Sequence, residues 1–142
     1  MSIAKGLVLD ANILLRAVFG ERVSKLLERY ENRVRFCSPH ICFQEARKYI
    51  PSISVKRSLA PERGLSRLDQ LSRLVEPVDV TVYAELEQTA RSRIELRDPD
   101  DWPIVAVALL LDLPIWTEDQ DFFGSGIATW TTDRVELYLR QR

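Results

Sequence analysis

The sequence predicts an α/β fold, a three-layer α/β/α sandwich around a short-stranded, mainly parallel sheet. Short apolar runs typical of buried strands alternate with longer segments whose apolar residues have helical spacing. Strands separated by helices imply right-handed crossovers, which cover a parallel sheet on both faces. Since the 142 residues contain no low-complexity tract or linker, residues 1–142 are expected to form one domain.

The first part of the chain is predicted to contain two strands and three helices. In order, these are a strand at Leu7–Leu9, helices at Asn12–Phe19 and Glu21–Asn32, a strand at Val34–Cys37 and a helix at His40–Ile50. Gly20 stops the first helix. Ser38 and Pro39 supply a cap and a first-turn proline for the third, which Pro51 is expected to end.

The second part alternates helices with shorter strands. The predicted elements are two helices within 52–73 separated at Ala60–Gly64, a strand at Val75–Val80, helices at Thr81–Leu96 and Trp102–Leu111, strands at Ile115–Thr117 and Ala128–Trp130, and a helix from Thr131 or Thr132 to Arg142. Pro77 cannot donate to a sheet, which favours an edge position for its strand. The helix at Trp102–Leu111 is apolar nearly all round and is expected to be buried.

Composition excludes several classes of protein. With 46% hydrophobic and 29% charged residues, the chain is typical of a globular domain. No apolar stretch approaches the ~20 residues that span a bilayer. The segment Met1–Gly6 lacks a basic stretch followed by an apolar core, so a cytoplasmic location without membrane association is expected. Two cysteines and the single His40 make a zinc cluster or a catalytic histidine poor explanations.

The basic residues are unevenly distributed, although the net charge is only -1. Sixteen of the 20 basic residues are arginine, which favours bidentate contact with phosphate or carboxylate. Those in the middle of the chain, including Arg47, Lys48, Lys56 and Arg57, form either a solvated helix face or a surface for a phosphate backbone or an acidic partner.

Four acidic residues, Asp10, Glu45, Asp101 and Asp119, lie at element boundaries or on a helix where their side chains can turn toward one point. Asp10 and Asp119 follow predicted strands, and ligand crevices open at the carboxyl ends of parallel strands. Carboxylates gathered at one point raise each other's pKa unless a cation lies between them. Such a gathering would therefore form a hard-metal site of the kind used in phosphoryl chemistry.

Each acid also has an ordinary structural explanation. Asp10 can cap the following helix, and Glu45 can be a surface residue. Asp101 can cap the apolar helix after it, a task for which Asp98 and Asp100 compete. Asp119 can be a turn residue. The joint placement of the four acids in an α/β pattern, rather than any single one, favours a site.

Four blocks of the sequence resemble the PIN-domain (PilT N-terminus) nuclease family. They are Leu7–Leu15 with Asp10 and Asn12, the helix carrying Glu45, the segment Asp98–Ala108, and the segment Trp116–Phe122. The blocks stand in the order found in the family and span nearly the whole chain.

The resemblance implies a ribonuclease dependent on Mg²⁺ or Mn²⁺. Asp10, Glu45, Asp101 and Asp119 look like its acidic quartet, with Asp10, Asp101 and Asp119 as metal ligands. Residues that resemble accessory positions are Asn12, Asp98, Thr117 and Asp121. Asp101 is preferred to Asp98 as the third acid because Ala106–Ala108 begins five residues beyond it, the spacing of the family's helix.

The resemblance also implies partners. Compact members of the family are similar to the VapC-type toxins of toxin–antitoxin pairs, so a cognate antitoxin and an RNA substrate are expected. Apolar-rich helices around 21–32 and 52–74 make a homodimer plausible, although core packing explains them equally well. Two alternatives remain open: a non-catalytic binding module with this fold, and a 5′-nuclease-like enzyme on structured DNA, which the small size of the chain disfavours.

Overall fold

A wholly parallel five-stranded sheet forms the centre of the molecule, as seen in a computed structural model that describes residues 5–141. The strands are β1 (Lys5–Leu9), β2 (Val34–Pro39), β3 (Val75–Val78), β4 (Ile115–Trp116) and β5 (Thr129–Trp130). Their spatial order is β3-β2-β1-β4-β5. The predicted fold class is therefore confirmed, and Pro77 does lie on an edge strand.

Among residues 5–141, eight α-helices flank the sheet. They are α1 (Ala11–Phe19), α2 (Arg22–Tyr30), α3 (His40–Lys56), α4 (Pro61–Leu71), α5 (Val80–Tyr83), α6 (Glu87–Ile94), α7 (Trp102–Leu111) and α8 (Val135–Leu139). The chain moves from β1 to β2 to β3 in one direction and then crosses back to β4. Right-handed crossovers therefore place α1 to α4 on one face and α5 to α7 on the other.

The core lies between these layers. Leu7, Val8 and Leu9 of β1 are fully buried, as expected for a central parallel strand covered on both faces. Helix α7 contacts β1 and β2 and buries Pro103 through Ala108. Its almost continuous apolar sequence is thus explained by burial, as predicted.

The order in which the chain adds strands reverses at β1, which pairs with β2 on one side and with β4 on the other. Leu9 is in register with Trp116, the last residues of β1 and β4. The residues that follow them, Asp10 and Thr117, consequently emerge side by side at the carboxyl edge of the sheet, where ligand crevices form in this class of fold.

The predicted end of α3 at Pro51 is wrong, because the helix continues to Lys56. Proline in a helix interior costs about 3 kcal/mol. Packing offsets this cost, since Ile50 and Ser54 on either side of Pro51 are fully buried. The two helices approach closely at Gly64 of α4, where a Cβ atom would lie 2.7 Å from Ile50 Cγ2.

The predicted helix at Thr81–Leu96 is also wrong as a single element. Helix α5 begins after Asp79, whose carboxylate accepts a hydrogen bond from Thr81 N at 3.1 Å. A 3-10 turn at Ala84–Leu86 then separates α5 from α6. Tyr83 is buried against Trp102, with ring centroids 5.5 Å apart, so tertiary packing interrupts the helical pattern.

The last helix of the chain starts later than predicted. The terminal helix begins at Val135, later than the predicted Thr131 or Thr132, because residues 131–134 form a turn closed by Arg134 N and Thr131 O at 3.0 Å. Arg142, the predicted end of this helix, lies outside the described residues. So do Met1–Ala4, which belong to the segment in which the sequence shows no secretory signal. Within residues 5–141 there is no helix with the length and apolarity to cross a membrane.

Candidate functional site

Asp10 and Thr117 form the buried part of an acidic site at the carboxyl edge of the sheet. Asp10 is only 6% exposed and caps α1, its Oδ1 accepting a hydrogen bond from Ile13 N at 2.9 Å. The hydroxyl of Thr117, which is also buried, donates to Asp10 Oδ2. Both carboxylate oxygens of Asp10 therefore have fixed hydrogen-bond donors.

Asp119 is joined to this pair through the same hydroxyl. Its backbone N donates to Thr117 Oγ1 at 2.9 Å. Its own Oδ1 accepts from Asp121 N at 2.9 Å, at the start of a 3-10 turn over Gln120–Phe122. The turn role expected of Asp119 is thus real, and the same geometry holds its carboxylate next to Asp121.

Asp98 and Asp101 occupy different positions in the turn before α7. Asp98 Oδ1 accepts a hydrogen bond from Asp100 N at 3.1 Å and closes the 3-10 turn Pro99–Asp101. Asp101 stands at the N-cap position of α7, but its side chain makes no capping hydrogen bond. The carboxylate of Asp101 is therefore available for another ligand.

Three carboxylates meet at the exposed mouth of the site. Oxygens of Asp101, Asp119 and Asp121 all lie within 4.8 Å of one another. Asp101 and Asp121 are half-buried and Asp119 is exposed. Asp10 is not part of this group, although the Thr117 hydroxyl connects it to Asp119.

Glu45 faces the same region from α3, where its side chain is exposed. Cys42, one turn earlier, is buried, and burial raises the pKa of its thiol. The negative charges of Asp10, Glu45 and Asp101 raise that thiol pKa further. The charge of Glu45 also raises the pKa of Asp101, so Glu45 is close enough to the other acids to interact with them electrostatically.

The pKa values of two carboxyls are raised, chiefly by burial and to a lesser extent by the neighbouring negative charges. Burial raises the pKa of Asp101 to about 7, with further increases from the charges of Asp98, Asp119, Asp10 and Glu45. Burial likewise raises the pKa of Asp10 to about 6 and outweighs the opposing hydrogen bonds from Thr117 and Ile13. A cation among these groups would reverse the shift.

The donor set fits a hard divalent ion. Every candidate ligand atom in the group is a carboxylate oxygen, the type that Mg²⁺ and Mn²⁺ prefer over nitrogen or sulfur. Asp101, Asp119 and Asp121 could hold such an ion, with Asp10 and Glu45 nearby. Mg²⁺ usually binds through one or two protein carboxylates and keeps several waters, so three close oxygens suffice.

Two residues near the site were not among the predicted candidates. Arg97 Nη1 lies 3.9 Å from Asp121 Oδ1, which brings one positive charge to the edge of the cluster. Glu118 Oε1 accepts a hydrogen bond from Thr132 N at 2.7 Å, so its carboxylate is used in holding the chain after β5. In the sequence, the position of Arg97 beside Asp98 and of Glu118 beside Asp119 was the only indication that these two residues lie near the site.

The predicted basic residues separate into different environments. Arg47 forms an ion pair with Asp69, and Lys48 Nζ lies 5.9 Å from the ring centroid of Tyr49. Lys56 is exposed at the end of α3. Arg57 instead lies over the ring of Phe19, 5.2 Å from its centroid, in a groove that also contains Asn12.

A PIN-domain family model matches residues 8–140, nearly the whole sequence. The chain belongs to the PIN-domain family. A search of curated protein sequences gives no match for this PIN domain.

Solved structures share the fold of this PIN domain at low sequence identity. A chain of VapBC2 from Rickettsia felis, bound to a DNA fragment from its promoter, has a TM-score of 0.68 and 17% identity, covering 89% of this chain and 98% of its own. A toxin–antitoxin complex from Klebsiella pneumoniae has a TM-score of 0.63 and 20% identity, and the match covers 89% of this chain and 97% of that chain. FitAcB from Neisseria gonorrhoeae has a TM-score of 0.61 and 19% identity, again with 89% of this chain and 97% of that chain covered.

Proposed function

We propose that this PIN domain is a metal-dependent endoribonuclease that hydrolyses RNA phosphodiester bonds with Mg²⁺ or Mn²⁺. The observation that carries the proposal is the group of Asp101, Asp119 and Asp121 oxygens within 4.8 Å of one another, next to the buried Asp10. Membership of a family of nucleases supports the same conclusion. Because RNA is the substrate, we place the activity in the cytoplasm.

The residues have separate roles in this proposal. Asp101 and Asp119 bind the ion directly, and Asp10 completes the site from its buried position beneath them. Glu45 serves a second ion or orders the outer water shell. A bound divalent ion supplies a water of lowered pKa and charge stabilisation at the phosphate.

The accessory residues position the ligands. Thr117 holds one Asp10 oxygen and the Asp119 amide, so the two acids keep a fixed separation. Asp98 closes the turn that presents Asp101. Asp121 adds an oxygen to the cluster, while Asn12, exposed on the first turn of α1, faces the groove beside it.

We further propose that the chain is the toxin component of a toxin–antitoxin pair. Support comes from the solved structures that share its fold, one of which is a toxin–antitoxin complex and another a VapBC2 structure bound to promoter DNA. Co-expression with the product of the adjacent reading frame tests the proposal. Co-purification with relief of growth inhibition is expected, whereas growth that is unaffected by the chain alone would contradict it.

A homodimer is proposed as its solution state. Val55 and Leu59, within the segment 52–74 expected to be apolar-rich, are 69% and 47% exposed. A second copy could cover them. Light scattering of the purified protein should give twice the 16.4 kDa mass of the chain, and a single-chain mass at all concentrations would contradict the dimer.

Metal-dependent cleavage of RNA by purified protein tests the central proposal. The wild type with Mn²⁺ should cleave, whereas protein in EDTA and Asp10→Asn should not. Asp112→Asn is a matched control because Asp112 is exposed at the other end of α7 in a left-handed conformation that asparagine tolerates. Undiminished cleavage by Asp10→Asn, or no Mn²⁺ uptake by the wild type, would leave a non-catalytic binding module as the better explanation.

A further inference from the structure

A groove of about 670 Å³ runs along α1. Asn12, Leu15, Arg16 and Phe19 line it from α1, and Ile53 and Arg57 line it from the end of α3. Leu15 and Arg16 each lie three or four residues from both Asn12 and Phe19, so the four positions share one helix face. The groove, called here the α1 groove, is also lined by Glu118, which precedes Asp119 and whose charge acts on Asp10, so it lies near the acidic site.

Three arginines and three acidic residues line the α1 groove, and the arginines differ in whether they are ion-paired. Among residues 5–141, neither Arg16 nor Arg57 has a carboxylate within ion-pair distance. Both side chains are exposed. Two guanidinium groups without an ion pair therefore line the groove.

The acidic residues that also line the groove are already engaged. Asp133 pairs with Arg22 at 3.4 Å, and Glu21 pairs with Lys25 at 3.4 Å. Glu118 accepts its hydrogen bond from Thr132 N. Among the described residues, Arg16 and Arg57 are therefore the groove arginines without an ion pair, while Glu118 keeps its negative charge because its hydrogen-bond donor is a neutral amide.

An aromatic surface accompanies the free arginines. The Arg57 guanidinium lies over the Phe19 ring, 5.2 Å from its centroid, and both side chains line the groove. Phe19 also lines an adjoining cavity of about 180 Å³, whose rim carries Arg63 and Arg67. Two further arginines, both on α4, therefore lie beyond Phe19.

We propose that the α1 groove binds single-stranded RNA next to the phosphate that is cleaved. This inference rests on the proposed ribonuclease function and names the part of the substrate site that lies outside the acids. Arg16 contacts a backbone phosphate through its forked donors. The Arg57–Phe19 pair offers a flat surface on which a base stacks, a mode that accepts unpaired bases of any sequence.

Binding without turnover tests the proposal most cleanly. The affinity of a fluorescein-labelled single-stranded oligoribonucleotide is measured by anisotropy in EDTA, over a series of salt concentrations. Arg16→Gln/Arg57→Gln should bind at least ~10-fold more weakly, and its salt slope should be shallower by about 0.7 for each lost phosphate contact. Phe19→Leu, which keeps an apolar side chain but removes the aromatic face, should weaken binding several-fold.

The control is Arg33→Gln/Arg73→Gln, which changes the net charge equally. Arg33 directly precedes β2 and Arg73 stands two residues before β3, so both lie at the amino edge of the parallel sheet, opposite the acids. Arg33 also lies over an aromatic ring, that of Tyr30, at 5.1 Å. This control should retain the wild-type affinity and salt slope, and circular dichroism should show that every variant is folded.

The outcomes separate this proposal from the ribonuclease proposal. If the wild type cleaves, Arg16→Gln/Arg57→Gln should raise KM with little change in kcat, the pattern of lost uniform binding. If the wild type binds RNA without cleaving it, a selective loss of binding in the groove variant still supports the groove and counts against the nuclease. Wild-type affinity in the groove variant, or equal losses in groove and control variants, would overturn the proposal and favour a protein partner for the groove.

Discussion

The Thr117 hydroxyl donates a hydrogen bond to Asp10 Oδ2, across the junction between β1 and β4. Thr117 Oγ1 in turn accepts a hydrogen bond from Asp119 N at 2.9 Å. A single buried hydroxyl thus fixes two acids that are 109 positions apart in the sequence. Its donor and one acceptor position are both used, which makes the side chain sensitive to substitution.

Thr117→Val should therefore impair the site while keeping the shape of the side chain. It leaves the Asp119 amide and an Asp10 oxygen without their partner, at a cost of about 1–3 kcal/mol in the free energy of unfolding. Loss of a supporting hydrogen bond of this kind typically lowers metal affinity or activity 10–100-fold. Thr117→Ser restores the hydroxyl and should recover most of the activity. Equal Mn²⁺ affinities for the valine and serine variants would contradict the positioning role.

Asp10→Asn should stabilise the metal-free protein at alkaline pH. Burial raises the pKa of Asp10 from 3.8 to about 6, so the folded state holds a proton that the unfolded chain has already lost. The resulting stability is fully present below the unfolded pKa and is lost as pH rises through the folded value. The buried charge then destabilises the fold at pH 8, by up to about 3 kcal/mol.

Thermal unfolding in EDTA measures this effect. At pH 8 the melting temperature of Asp10→Asn should exceed that of the wild type by several degrees, and the difference should disappear near pH 4. Asp112→Asn, at an exposed position, should match the wild type at both pH values. A lower stability of Asp10→Asn at pH 8 would show that the charge is not destabilising, and the account of crowded carboxylates would be wrong.

Stabilisation by Mn²⁺ should depend on pH in the opposite sense. The ion must displace protons from carboxyls whose pKa values are about 6 and about 7, so binding weakens as pH falls through this range. The rise in melting temperature on adding Mn²⁺ should be large at pH 8 and small at pH 5.5. An Mn²⁺ effect that is the same at both values would contradict binding at Asp10 and Asp101.

Gly64→Ala should destabilise the fold without acting on the acids. A Cβ atom at this position would lie 2.7 Å from Ile50 Cγ2, in the contact that keeps α3 helical beyond Pro51. Overpacking of this kind costs about 1–3 kcal/mol, more than the ~1 kcal/mol that alanine gains over glycine in a helix. Ser66→Ala, at an exposed position of α4, should leave the urea midpoint nearly unchanged. A Gly64→Ala variant that is more stable than the wild type would contradict the close approach.

The sequence predicted the features that depend on strand pattern. Asp10 and Asp119 follow apolar runs, and in a parallel sheet such positions must share one edge, so their neighbourhood was predictable. The apolar sequence of α7 likewise predicted its burial. These inferences need only the order of elements and the handedness of their connections.

Features that depend on tertiary contacts were not predictable. Local rules end α3 at Pro51, whereas burial of Ile50 and Ser54 continues it. The choice between Asp98 and Asp101 depends on which carboxylate closes the 3-10 turn, a detail of backbone geometry. The α1 groove could not be foreseen, because Phe19 and Arg57 meet only through the packing of α1 against α3.

Anomalous diffraction from a crystal soaked in Mn²⁺ tests the central claim most directly. An anomalous peak should lie between the carboxylates of Asp101 and Asp119, on the side where Thr117 holds Asp10, and should be absent from Asp119→Asn crystals treated in the same way. A wild-type crystal with no peak at this position, at an Mn²⁺ concentration that supports RNA cleavage, would contradict the claim that these acids form the metal centre.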